Sequence, residues 1–140
     1  MSAKFFLDTN IFVYSFDARH PVKQRKAQSL IDTALSGQAG LISYQVVQEF
    51  LNVAIRKFEK PLSAQECRSY LEQVLSPLCE ILPSMNLYRQ ALELQGETGF
   101  SFYDSLIVIS AAQGNCKILY TEDLQHTQRI AGLTIQNPFV

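Results

Sequence analysis

The stretch Lys4-Phe5-Phe6-Leu7-Asp8-Thr9-Asn10 decides the fold of this chain. Its first part is a short apolar run, rich in Phe. The run ends at once on Asp8, Thr9 and Asn10, residue types that turn a chain and cap a helix. A buried strand running directly into a helix start is the reading this pattern supports. Ile11, Phe12, Tyr14 and Ser15 continue as a short helix.

The same strand-then-helix alternation repeats down the chain. Pro21 opens a helix in which Ala27, Leu30, Ile31, Ala34 and Leu35 recur at helical spacing, and Gly37 and Gly40 stop it. Gly40 to Ser43 is a brief strand, and Ser43 is placed to cap a helix from Tyr44 to about Phe58. Pro61-Leu62-Ser63 breaks the chain. Ser63 and Glu66 have capping-box spacing, and a helix to about Leu75 follows. Cys79 to Leu82 reads as a strand ended by Pro83. Ser84 opens a helix through Leu94 that ends near Gly96. Ser101 caps a helix from Phe102 to Gln113, with Gly114-Asn115 at its C-terminal end. Lys117 to Thr121 and Leu133 to Gln136 are the last strands. The order βα, βαα, βαα, βα, β predicts an α/β fold of three layers, α/β/α, with a central parallel sheet of four to five strands. In such sheets ligands bind beyond the carboxyl ends of the strands, near the switch point.

The chain has 140 residues, which suits one domain spanning residues 1–140. Its 12 Lys+Arg nearly cancel its 13 Asp+Glu, so a globally basic nucleic-acid coat is excluded. Charged residues are only 18%, which argues against disorder. No apolar run approaches the roughly 18 residues of a membrane span. The N-terminus meets Asp8 too early for a signal-peptide core, so a cytoplasmic location is expected. Cys67, Cys79 and Cys116 are odd in number and lack a CxxC pair, so they read as small buried apolar groups. His20 and His126 are far apart. A soft-ligand metal site therefore has little to build on, while a hard metal held by oxygens stays open.

Four acids stand at strand ends or adjacent helix starts. Asp8 closes the first strand, and by itself it reads equally as a helix cap. Glu49 shares a helix face with Val46 and Val53, and a carboxylate there needs a partner; Asn52, three residues on, is a candidate. Asp104 lies in the first turn of the most apolar helix, where favourable helix-end placement is the alternative. Asp123 follows the strand ending at Thr121, with Glu122 beside it, and either acid is ordinary in a turn. Taken jointly, a parallel α/β chain brings all four to one mouth. A like-charged pair at ~5 Å costs about 3 kcal/mol at an effective dielectric of 20. A divalent cation is the simplest compensation, and carboxylates with water suit Mg²⁺ or Mn²⁺. The chemistry implied is metal-assisted hydrolysis of a phosphate ester.

The segments Phe6-Leu7-Asp8-Thr9-Asn10, Val47-Gln48-Glu49-Phe50, Phe102-Tyr103-Asp104-Ser105-Leu106 and Leu119-Tyr120-Thr121-Glu122-Asp123, in this order, resemble the PIN-domain ribonucleases. That family includes the VapC-type toxins of toxin–antitoxin pairs. The resemblance covers almost the whole chain, including Ala111-Ala112 and Asn137-Pro138-Phe139. It implies a parallel sheet between helices, one or two Mg²⁺ or Mn²⁺ ions, and RNA phosphodiester cleavage that leaves a 5′-phosphate. It implies that Asp8, Glu49, Asp104 and Asp123 are the catalytic, metal-holding acids, with Thr9 or Thr121 as an ordering hydroxyl and Asn10 and Glu122 in support. The chain departs from the pattern at Gln125, where many members carry a further acid. Glu122 is the candidate substitute, and the number of metal ions stays open.

RNA contact needs cations. Arg19, His20, Lys23, Arg25 and Lys26 form the densest basic cluster, with a solvated helix face as the alternative; Arg56, Lys57 and Lys60 form a second. The expected partners are an RNA substrate, a cognate antitoxin protein and a second copy of the chain, with Phe12, Tyr14 and Phe16 offered as the dimer contact. Two other readings compete with the endoribonuclease. One is a non-catalytic PIN-like module binding RNA or protein, which a metal-dependent cleavage assay would separate. The other is a phosphate-accepting receiver or phosphatase, which Asn10 weakens by standing where a second acid is needed.

Overall fold

Phe5, Phe6 and Leu7 form β1 (Phe5–Leu7), and all three are buried. Successive strand residues point to opposite faces, so layers must cover the sheet on both sides. The computed structural model describes residues 3–37 and 39–140. Met1 and Ser2, which entered the reading of the N-terminus, lie outside the described residues.

After β1 the chain runs through α1 (Thr9–Tyr14), α2 (Pro21–Gly37), β2 (Gly40–Ser43) and α3 (Tyr44–Arg56). Next come α4 (Ala64–Tyr70), one π-helical turn (Leu71–Leu75), α5 (Ser76–Leu78) and β3 (Cys79–Ile81). Then follow α6 (Met85–Thr98), α7 (Phe102–Gln113), β4 (Ile118–Tyr120), β5 (Arg129–Ile130) and β6 (Leu133–Gln136). The strand order is β3-β2-β1-β4-β6-β5. Every pairing is parallel except β5 with β6. The chain steps from β1 out to β3 and then returns to β4 on the other side. The switch point is therefore at β1, whose carboxyl end carries Asp8.

The α/β architecture follows the sequence reading, but the sheet has six strands rather than four to five. The added strand is β5, a two-residue antiparallel edge joined to β6 through Ala131 (φ 51°) and Gly132 (φ 79°). A two-residue hairpin with both central φ positive is the twist-matched turn. Ala131 masks it, because Asn or Asp usually marks that position.

Three other details depart from the reading. The Ser43 hydroxyl makes no cap bond and is buried without a partner. The helix after Ser84 runs through Gly96 and ends at Gly99, whose φ of 77° meets the left-handed requirement of a helix stop. Of the three residues offered as a dimer contact, Phe12 is fully buried and so drops out, while Tyr14 is half-buried and Phe16 is 38% exposed. Phe16 packs its ring at 5.1–5.7 Å from those of Phe50, Phe58 and Tyr70. The capping box at Ser63 and the caps at Ser84 and Ser101 form as expected. Among the described residues, no helix is long and apolar enough to cross a membrane. Cys67 and Cys116 are buried, Cys79 is half-buried, and all three are free thiols.

Candidate active site

Backbone pairing at the sheet's carboxyl edge sets the site. The Asp8 N–H donates to the Tyr120 carbonyl at 3.0 Å, and the Thr121 N–H donates to the Gln136 carbonyl at 3.0 Å. These bonds hold Asp8 against Thr121. The Thr121 hydroxyl donates to Asp8 Oδ2 at 2.7 Å, while Asp8 Oδ1 accepts from the Thr9 N–H at 2.7 Å. Asp8 is thus both a helix cap and a buried carboxylate at the mouth of the sheet. The two readings left open by the sequence coexist.

Glu49 enters from α3. Its Oε1 accepts from the Thr9 hydroxyl at 2.7 Å and its Oε2 from Gln45 Nε2 at 3.4 Å. Gln45, rather than Asn52, is the neighbour that holds it. Gln45 lies four residues before Glu49 on the same helix face, so the i,i+4 rule would have found it. Asn10 Nδ2 donates to Asp123 Oδ2 at 3.2 Å and lies 3.4 Å from the Thr121 hydroxyl. The Asp123 N–H donates to that same hydroxyl at 3.1 Å. Asp104 sits half-exposed in the first turn of α7, its N–H capped by the Ser101 hydroxyl at 3.1 Å. Thr9, Asn10 and Thr121 are therefore the groups that aim the acids.

Asp8, Glu49, Asp104 and Asp123 line one open cleft of about 570 Å³. Their mutual influence is electrostatic as well as spatial. Burial pushes the Asp8 carboxyl up to about 7, and the Asp123 and Glu49 charges add to the push against the Thr121 and Thr9 hydrogen bonds. Burial also raises Asp123, followed by repulsion from Asp104, with the Asn10 bond opposing it. Burial leads in both shifts, and repulsion between the neighbouring carboxylates adds to it.

The donor set is all oxygen, the chemistry of a hard divalent cation. Asn10 Oδ1 adds to it, being buried beside the acids with no protein donor. Among the described residues, no three His, Cys, Asp or Glu stand close enough to enclose an ion by themselves. An ion held here would have to take waters for much of its shell, as Mg²⁺ does.

Glu122 also lines the cleft and is tied to neighbouring elements. Its Oε1 accepts from the Tyr14 hydroxyl at 2.8 Å, and Lys23 Nζ lies 3.6 Å from its Oε2. Lys23 also sits 4.7 Å over the Tyr14 ring and 5.6 Å from that of Phe139. This knot ties α1, α2, the loop after β4 and the C-terminus together, with the Lys23 side chain still 35% exposed. Arg25 and Lys26 are exposed on α2, outside the cleft. Arg19 does line it, gripped by Asp17 at 2.9 Å through Nε, with His20 Nδ1 2.9 Å from the other Asp17 oxygen. The Arg19 guanidinium holds the Asp17 carboxyl far below the usual range.

The family model described as PIN domain matches residues 5–133. The fold is similar to a toxin–antitoxin complex from Klebsiella pneumoniae at 22% identity and a TM-score of 0.68, covering 98% of each chain. It is similar to VapBC2 from Rickettsia felis, solved bound to a DNA fragment from its promoter, at 22% identity and a TM-score of 0.65, covering 95% of this chain and 97% of that one. It also matches VapC20 from Mycobacterium tuberculosis, a toxin that cleaves the sarcin–ricin loop, at 17% identity and a TM-score of 0.61, covering 86% and 90%. Comparison with curated protein sequences finds no match.

Proposed function

This chain belongs to the PIN domain family, and on that premise we propose that it is a metal-dependent endoribonuclease, the toxin of a toxin–antitoxin pair. The observation that carries the proposal is the convergence of Asp8, Glu49, Asp104 and Asp123 on one cleft at the switch point of the sheet. One PIN domain spans the chain, acting in the cytoplasm on RNA. An antitoxin protein is the proposed regulator, because the Klebsiella, Rickettsia and Salmonella neighbours are toxin–antitoxin assemblies.

Asp8, Glu49, Asp104 and Asp123 would hold Mg²⁺ or Mn²⁺. Such an ion supplies a lowered water pKa and charge neutralisation at the phosphoryl oxygens. The chain's own groups do the positioning. Thr121 keeps one Asp8 oxygen turned and Thr9 with Gln45 fixes the Glu49 head, while Asn10 holds Asp123. Arg19 lines the cleft, and this reading assigns it to a backbone phosphate. Water adds across the P–O3′ bond, leaving a 5′-phosphate and a 3′-hydroxyl. A near-neutral protein with so few cations at its cleft binds RNA weakly, and with few phosphates neutralised the salt dependence is shallow.

The test is cleavage of single-stranded and loop RNAs, with the product ends mapped. Mg²⁺ or Mn²⁺ supports cleavage, EDTA abolishes it, and Ca²⁺ supports it poorly because of its looser geometry. Undiminished cleavage in EDTA would sink the metal mechanism.

A further inference from the structure

Hydrolysis at the P–O3′ bond makes one demand that four carboxylates and a cation leave unmet. The departing 3′ oxygen must gain a proton, and a positioned acid in that role is worth about 10²–10⁴-fold in rate. The four acids are assigned to the cation. The Tyr14 hydroxyl is spent, donating to Glu122 at 2.8 Å and accepting from Lys23 at 3.3 Å. Arg19 does not release its proton. His20 lines the same cleft, and imidazole is the side-chain type that gives and takes a proton between about pH 5 and 8.

The loop between α1 and α2 fixes this ring. His20 Nδ1 lies 2.9 Å from Asp17 Oδ2, and the Asp17 side chain is only 14% exposed against 51% for the imidazole. Arg19 grips the same carboxylate through Nε at 2.9 Å and Nη2 at 3.2 Å, and its backbone N–H donates there at 3.1 Å. These donors keep Asp17 ionised, the Arg19 side-chain bond leading. A carboxylate without a proton only accepts, so Nδ1 carries the hydrogen and Nε2 is the nitrogen left to meet a ligand. An aspartate holds the imidazole of a catalytic triad in the same tautomer. The Tyr14 ring stands edge-on to His20 at 6.0 Å, and the His20 carbonyl accepts from the Gln24 N–H at 2.8 Å as α2 begins. Charged groups surround the imidazole. Asp17 and Arg19 share its loop, Lys23 and Glu122 meet at Tyr14, and Glu59 stands near Arg19. Asp8, Glu49, Asp104 and Asp123 line the same cleft.

We propose that His20 is the general acid of RNA cleavage, giving its Nε2 proton to the departing 3′ oxygen, with Asp17 as its positioning residue. The proposal rests on the reading of the cleft as a ribonuclease centre. The oxygen of water bonds to phosphorus, and the water proton passes to solvent. The electron pair of the P–O3′ bond goes to O3′, which takes the Nε2 proton and leaves as a hydroxyl. The imidazole is then neutral, its Nδ1–H still on Asp17, and it recovers a proton from solvent. Each cycle consumes one water.

The test uses two RNAs that differ at one atom, with oxygen or sulfur at the 3′ bridging position of the mapped cleavage site, both in Mn²⁺. A thiolate leaves without a proton, so the sulfur RNA does not need the acid. His20→Gln lowers kcat on the oxygen RNA by about 100-fold or more with little change in KM, and cleaves the sulfur RNA within about threefold of wild type. A second measurement needs no variant. Long-range ¹H–¹⁵N NMR of the metal-free wild type finds the neutral His20 ring protonated on Nδ1. An equal loss of kcat on both RNAs overturns the proposal, since a base or a merely structural histidine serves both linkages alike. So does an unchanged kcat on the oxygen RNA, or a neutral ring protonated on Nε2. Cleavage by the wild type with equal losses in His20→Gln removes the role of His20 alone. A wild type that cleaves neither RNA removes the ribonuclease reading, and the role of His20 with it.

Discussion

Asp8 is held where its neutral form is favoured, and that has a sign. Its carboxyl is raised to about 7 in the folded chain against an ordinary 3.8. Below about pH 4 both folded and unfolded chains carry the proton. Between about 4 and 7 the unfolded chain gives it up first, so rising pH erodes the stability of the metal-free protein. The slope is at most about 1.4 kcal/mol per pH unit, or roughly 4 kcal/mol across the window. Subtracting the pH–stability curve of Asp8→Asn from that of the wild type in EDTA isolates this slope. A flat difference would mean that Asp8 is not desolvated. Thr121 is the second residue with a defined cost. Its hydroxyl donates to Asp8 and accepts from the Asp123 N–H, so Thr121→Val takes a donor from the buried Asp8 carboxyl and the acceptor from a part-buried N–H. The expected loss is about 1–3 kcal/mol by chemical denaturation, with Thr121→Ser close to wild type. The four acids were legible because strand ends are where such chemistry collects. The Tyr14–Glu122–Lys23 knot was not, because Glu122 is 108 residues from Tyr14 and meets it only through the sheet order. Arg19, Lys23, Arg25 and Lys26 are neighbours in sequence but have three different surroundings in space: Arg19 lines the cleft, Lys23 reaches Glu122, and Arg25 and Lys26 are exposed on α2.

At the scale of elements, two glycines act in opposite ways. Gly40 opens β2 where α2 crosses it closely, and an added Cβ would collide with Ala34 and with Phe5 Cε2. Gly40→Ala is expected to destabilise by about 1–3 kcal/mol, since neither backbone nor ring has room to give. Gly96 lies inside α6 with open space around it. Gly96→Ala should stabilise by about 0.5–1 kcal/mol, because the unfolded chain loses freedom that the helix never used. Paired thermal melts check both, and a stabilising Gly40→Ala would refute the close crossing. Most elements were readable from local signals: the Phe-rich run of β1, Pro21 at the start of α2, and the serine caps of α4, α6 and α7. What escaped depends on conformation rather than residue type. Gly96 and Gly99 look alike in sequence, and only the left-handed φ of Gly99 makes it the stop. The β5–β6 hairpin hides for the same reason behind Ala131.

At the scale of the molecule, the parallel sheet gathers four carboxylates from distant segments onto a protein of net charge −1. The central claim is that these acids act as one divalent-cation site. Asp104→Asn tests it without any substrate. Asparagine keeps the shape of aspartate and removes one of the charges that raise Asp123. In EDTA the variant should therefore melt higher, by the equivalent of about 1 kcal/mol after allowance for solvent screening. Millimolar Mg²⁺ stabilises the wild type by mass action and the variant much less, so the two melting temperatures approach or cross. A helix-end carboxylate with no metal role predicts a variant that melts lower than wild type in EDTA and responds to Mg²⁺ just as the wild type does, and that result would contradict the account.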